Sequence, residues 1–210
     1  MPQAQPIVFV VDDDVSVRDS LESLIRCAGW QPETFGSARA FLARPRVEQA
    51  PNCLVLDVTL PDLNGLDVQT LVAAERADMP IIFISGYGDV PMTVRAMKAG
   101  AADFLTKPFG DEALLGAIRH AIERSDAVLG QEAYRRALRG RYAALTRRER
   151  EVMALVVRGR LNKQIGGELG ISEITVKAHR GKVMRKMQAD SLASLVHMAA
   201  GLDLATARPG

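Results

Sequence analysis

Along the first 124 residues, hydrophobic and polar positions follow two alternating rhythms. Short, nearly unbroken apolar stretches occur at Ile7-Val8-Phe9-Val10-Val11, Cys53-Leu54-Val55-Leu56, Ile81-Ile82-Phe83-Ile84 and Asp103-Phe104-Leu105-Thr106. Their length and β-branched content predict buried strands. Between them, apolar residues recur at helical spacing. Val17, Leu21, Leu24, Ile25 and Ala28 mark a first helix, with Gly29 as its stop signal. A weaker strand near Glu33 to Phe35 leads to a helix around Ala38 to Leu42, and Leu66 to Ala74 reads as a third helix. Asp89 is placed to cap a fourth, which has Pro91 in its first turn and ends at Gly100. Leu114, Leu115, Ile118, Ala121 and Ile122 form a fifth one-sided pattern. Alternating β and α units predict an α/β domain: a doubly wound, parallel, five-stranded sheet with helices on both faces.

Beyond this point the strand rhythm disappears. Residues 125–142 are charged and Ala-rich, with Gly130 and Gly140 as interruptions, and read as a partly helical linker. Residues 143–210 read as an all-α domain. Thr146-Arg147-Arg148-Glu149 has capping-box spacing before Val152, Met153, Leu155 and Val156. Asn162 to Leu169 is a short helix, Gly170 turns the chain, Ser172 caps the next helix, and a last helix starts at Ser191. Two short helices joined by a glycine turn predict a helix-turn-helix. On the second of them Val176, Val183 and Met187 fall on one side, while Lys177, Ala178, Gly181, Lys182 and Arg185 fall on the other. Gly166-Gly167 is a soft spot that close helix packing would explain.

Charge sharpens this division. The net charge of +2 conceals 11 Lys/Arg against 17 Asp/Glu in residues 1–124, and 16 against 8 in residues 125–210. The C-terminal part is therefore the candidate polyanion binder. Two cysteines, Cys27 and Cys53, in apolar surroundings make neither a disulfide framework nor a metal cage, and point to a reducing cytoplasm. No stretch resembles a signal peptide or a membrane span, so no membrane partner is expected.

The strand ends carry the candidate chemistry. The first run ends in Asp12-Asp13-Asp14, the second in Asp57, the third in Ser85 and the fourth in Lys107-Pro108. A lone acid after a strand often caps a loop, but ligands of open α/β sheets collect at the carboxyl ends of strands. Asp12, Asp13 and Asp57 would repel one another unless a cation sat among them. A hard divalent ion, Mg²⁺ or Mn²⁺, suits such oxygen ligands. With it in place Asp57 can act as a carboxylate nucleophile toward a phosphoryl group, with Lys107 and Ser85 contacting the phosphoryl oxygens.

The stretches VVDDD, LVLDV with LPDLNG, FISG and FLTKPF resemble, in order and spacing, the motifs of the response-regulator receiver domain over about residues 5–124. The resemblance implies a flavodoxin-like fold with Asp57 as phosphoacceptor and Asp12 and Asp13 as acidic metal-pocket residues. It also implies the Thr59 backbone carbonyl as a metal ligand, Ser85 as switch hydroxyl, Phe104 as switch aromatic and Lys107 as phosphate sensor. The stretches LTRREREVMALV and GRLNKQIGGELGISEITVKAHRGKVMRKM resemble the LuxR-type helix-turn-helix. Together these give the architecture of the FixJ/NarL group of response regulators.

That architecture implies a transcriptional regulator that accepts a phosphoryl group from a sensor histidine kinase, binds promoter DNA and acts with RNA polymerase, as an activator.

 The DNA contacts it implies are Thr175, Lys177, Ala178, Lys182 and Arg185, and a homodimer face would use Val90, Pro91, Arg95, Lys98 and Asp103. Gly181 offers no side chain where some relatives carry a lysine, so a borrowed operator sequence does not transfer. Two rival classes remain. An aspartyl-phosphate phosphotransferase or phosphatase would want a second acid beside its nucleophile, where this chain has Val58-Thr59. A phosphorylation-independent adaptor would not need the full acidic set.

Overall fold

The computed structural model describes residues 4–46, 50–76, 78–86 and 90–202. The chain divides into two compact units, 1–130 and 131–210. The first contains five parallel strands: β1 (Ile7–Val11), β2 (Gln31–Phe35), β3 (Asn52–Asp57), β4 (Ile81–Ser85) and β5 (Asp103–Thr106). Their order is β2-β1-β3-β4-β5. The three central strands are buried along their whole length, as expected for strands covered by helices on both faces. Pro32 lies in β2, an edge strand, where its missing N–H breaks no ladder between two neighbours.

Helices α1 (Val15–Cys27), α2 (Ala38–Leu42), α3 (Gly65–Glu75) and α4 (Val90–Lys98) fill the connections. Asp14, Ser37 and Asn64 cap the first three through side-chain oxygens that accept backbone N–H groups. Asp89, expected to cap α4, lies outside the described residues. The sheet separates two apolar layers. One gathers Phe9, Phe41, Leu54, Leu56 and Phe83; the other gathers Val8, Val10, Ile25, Val55, Ile82, Leu114 and Ile118.

Helix α5 (Asp111–Ala143) is 33 residues long and includes the whole of residues 125–142. That segment is more regular than its glycines suggest. At Gly130 and Gly140 no described atom lies within 4 Å of where a Cβ would stand, and neither has a positive φ. Each therefore only weakens the helix, by about 1 kcal/mol, amid good helix formers. Ser125 is fully buried on α5, and its hydroxyl accepts the Asn52 N–H at the start of β3, at 3.1 Å.

The second unit holds α6 (Arg147–Val157), α7 (Asn162–Leu169), α8 (Glu173–Met187) and α9 (Leu192–Ala200). Thr146 and Glu149 form the expected capping box. Gly170 closes α7 at φ +66°, a left-handed conformation that favours glycine. Val176, Val183 and Met187 turn inward with Leu145, Val152, Met153, Ile165 and Leu195. Among the described residues, no helix is long and apolar enough to cross a membrane.

Candidate functional site

Parallel register assembles the acidic site. Val11 lies opposite Leu56 across β1 and β3, so the next residues along, Asp12 and Asp57, stand side by side. Asp12 is fully buried and Asp57 is 7% exposed, while Asp13 faces solvent. One carboxylate oxygen from each of the three acids lies within 4.8 Å of the others. Lys107, just past β5, reaches across to them: its Nζ donates to Asp12 Oδ2 at 2.7 Å and to Asp57 Oδ2 at 2.9 Å. The remaining oxygens also have donors. Asp14 N–H bonds Asp12 Oδ1 and Thr59 N–H bonds Asp57 Oδ1, each at 2.9 Å.

Burial pushes the Asp12 carboxyl above its ordinary range, despite the Lys107 ammonium and the Asp14 amide, which favour its charged form. For Lys107, partial burial works against the charge. Its hydrogen bonds to Asp12 and Asp57 outweigh that and hold the ammonium above its usual range. The site thus has hard oxygen donors, an excess of negative charge and one solvent-facing acid. That donor set fits a divalent cation which keeps part of its water shell.

Ser85 ends β4, fully buried, and its carbonyl accepts the Lys107 N–H at 2.8 Å. Phe104 on β5 is half-buried, with its ring centroid 6.1 Å from that of Phe83. Thr59 follows β3, is exposed, and pairs with Asn64 across the loop. Val90, Pro91, Arg95 and Lys98 are exposed on α4 beside the half-buried Asp103 of β5. Val94 and Met97 on the same helix are also exposed, at 43% and 44%, and extend the apolar part of that surface.

Three supporting residues escaped the reading of the sequence. Arg18 on α1 donates through Nη1 to the carbonyls of Asp12 at 2.6 Å and Asp13 at 2.9 Å, pinning the backbone that presents both acids. Asp62 accepts the N–H groups of Ala38 and Arg39, which ties the loop after Asp57 to the start of α2. At Gly65 a Cβ would stand 2.9 Å from the Asp57 carbonyl oxygen, so α3 approaches the acidic strand as only glycine allows. The one available signal was the glycine that ends the stretch LPDLNG.

On α8, Lys177, Ala178, Gly181, Lys182 and Arg185 are all exposed, as the helical pattern predicts. Thr175 is half-buried, and its hydroxyl lies 2.8 Å from that of Ser172, the helix cap. Behind this face, Arg180 donates to Asn162 Oδ1 at 2.7 Å, linking α8 to α7. Gly166 resolves the glycine pair: a Cβ there would stand 2.7 Å from the Ile171 carbonyl oxygen, whereas at Gly167 no described atom lies within 4 Å. The close packing expected of both belongs to Gly166. Lys186 Nζ donates to Glu149 Oε2 at 2.7 Å, and that contact, with the Thr146 N–H, holds the Glu149 carboxyl down at about 2.

Residues 8–119 match the response regulator receiver domain, and residues 143–199 match the bacterial regulatory proteins of the luxR family. The chain is 51% identical over 200 residues to nodulation protein W of Bradyrhizobium diazoefficiens, covering 94% of this chain and 87% of that protein. It is 46% identical over 203 residues to response regulator protein TodT of Pseudomonas putida, with the same coverage of 94% and 87%. Among solved structures, response regulator StyR superposes with a TM-score of 0.85 at 47% identity, covering 94% of this chain and 99% of that one. Full-length FixJ from B. japonicum gives a TM-score of 0.56 at 40% identity, covering 94% and 97%.

Proposed function

This chain belongs to the response regulators that join a receiver domain to a LuxR-type DNA-binding domain, and we propose that phosphorylation of Asp57 by a sensor histidine kinase controls its binding to promoter DNA. The observation that carries this reading is Lys107 bridging Asp12 and Asp57, which joins three strand ends in one cluster that still carries an excess of negative charge. An Asp57 oxygen attacks phosphorus as the bond to the donor histidine nitrogen breaks, leaving an acyl phosphate and a free imidazole. Lys107 then turns from the carboxylates toward the phosphoryl oxygens, and the Ser85 hydroxyl meets another of them. Asp12, Asp13, Asp57 and the Thr59 carbonyl are the residues that would hold Mg²⁺ or Mn²⁺, which supplies the positive charge that lets a phosphoryl group approach the acids.

Movement of Ser85 leaves room for Phe104 to turn inward, a packing change that biases the surface formed by α4 and β5. Val90, Pro91, Val94 and Met97 offer that surface an apolar centre, and Arg95, Lys98 and Asp103 offer ion-pairing groups for a second copy. The dimer places two α8 helices in successive major grooves. Thr175, Lys177 and Ala178 face base edges and nearby phosphates, and Lys182 and Arg185 face phosphate. As a promoter-bound activator it works in the cytoplasm with RNA polymerase.

Incubation with acetyl phosphate and Mg²⁺, followed by sedimentation and DNA-retention measurements, tests the whole sequence of events. The expected result is an acid-stable, base-labile label, a shift from monomer to dimer, and tighter DNA binding. Labelling without any change in DNA affinity would favour an enzyme, and DNA binding without labelling would favour a phosphorylation-independent adaptor.

A further inference from the structure

Ile174 is the second residue of α8 and is 80% exposed. Its neighbour Ile171, three residues earlier, packs against the core of the unit. Single exposed apolar side chains are common on protein surfaces, so exposure alone assigns nothing. The position of this one is informative. Residues 174, 177, 178, 181 and 185 fall at i, i+3, i+4, i+7 and i+11, so Ile174 begins the same outward stripe as Lys177, Ala178, Gly181 and Arg185. The stripe has small residues at its centre and cations along its length, a shape and charge that bring the helix backbone close to a polyanion. In a helix-turn-helix, the amino-terminal turn of this helix meets the base edges.

Hydrogen-bonding groups in that turn are partly engaged. The Thr175 hydroxyl lies within hydrogen-bonding distance of Ser172 Oγ, and the Lys177 ammonium stands 3.9 Å from Glu173. Ile174 offers only methyl and methylene groups. In the major groove the apolar feature that distinguishes one base from the others is the C5-methyl of thymine.

We propose that Ile174 is a specificity-determining residue that reads a thymine C5-methyl in each half-site. This rests on the assignment of α8 to the major groove and adds a base preference to it. The contact is made by dispersion and by removal of two apolar surfaces from water, so it carries no salt dependence of its own.

The test begins with selection of duplexes from a random library by the acetyl phosphate-treated full-length protein. Each thymine of the enriched site is then replaced in turn by deoxyuridine, which removes only the methyl group. Dissociation constants are measured for the wild type, Ile174→Ala and Ile174→Val. The wild type should lose about fourfold at one thymine per half-site, the equivalent of one buried methyl group. Ile174→Ala should bind the thymine site about as weakly as the wild type binds the deoxyuridine site, and should not distinguish the two. Ile174→Val should retain part of the discrimination. If Ile174→Ala kept the wild-type response to deoxyuridine at every position, or the wild type showed none, the inference would be overturned while the DNA-binding assignment stood. Failure of any sequence to enrich would overturn both.

Discussion

The acidic cluster and the outward face of α8 are built in opposite ways. Asp12, Asp13, Asp57, Ser85 and Lys107 come from four strand ends and meet only because parallel register aligns them. The face of α8 comes from one contiguous helix, Glu173–Met187. In the first case each charge sets the condition of its neighbours, so loss of one group should disturb the rest. In the second, contacts well separated along the helix can be removed one at a time, with effects that nearly add.

The sharpest test is Asp57→Asn. Removing the nucleophile should reduce acetyl phosphate labelling to background; a label of acyl-phosphate lability that survived would remove the assembled site from the comparison altogether.

The helix face also stands on an assembled base, through Glu149 and Lys186. Glu149 is held at about 2 against an ordinary 4.5, so its charged form is favoured in the folded state. Its stabilising contribution is complete above about pH 4.5 and is lost as pH falls toward 2. For the wild type this contribution should be on the order of 2 kcal/mol. Glu149→Gln should remove most of that pH dependence from denaturant unfolding of the second unit; an unchanged acid limb would show that the ion pair contributes nothing to stability.

Gly166 and Gly167 separate support from surface within one dipeptide. Gly166→Ala forces its new methyl group against the Ile171 carbonyl and should destabilise by about 1–3 kcal/mol. Gly167→Ala meets open space and should stabilise by about 1 kcal/mol through helix propensity. Thermal unfolding should therefore move in opposite directions for the two variants, and equal shifts would mean that the turn relaxes freely.

A smaller effect is expected at Arg18, which touches no predicted ligand atom. Arg18→Ala should weaken Mg²⁺ binding about tenfold, measured by calorimetry, as expected when the group that orients a ligand is lost. Unchanged affinity would show that the backbone of Asp12 and Asp13 is held by β1 alone.

Smallest of all, Lys182→Ala should lower the salt slope of DNA binding by about 1 and weaken specific and random DNA equally. A loss confined to the specific site would make Lys182 a base reader.

Much of this was legible in the amino-acid pattern. Short runs such as Ile81-Ile82-Phe83-Ile84 read as buried central strands, and the polar residues at their ends mark the edge where a site can form. Arg18 was not legible, because a charged residue on an amphipathic helix usually meets water and its partners here are backbone carbonyls. The unequal roles of Gly166 and Gly167 were equally hidden, since only the distance to Ile171 tells the two apart. Ile174 was not legible either, since its exposure depends on how α8 is rotated.

The bond between Ser125 and Asn52 has a practical consequence for chimeras. Ser125 closes the far end of the strand that carries Asp57, so a receiver module cut after residue 124 would leave the Asn52 N–H without its acceptor. A fusion to a different output module should retain Ser125 and place its junction beyond Gly130, where the first compact unit ends.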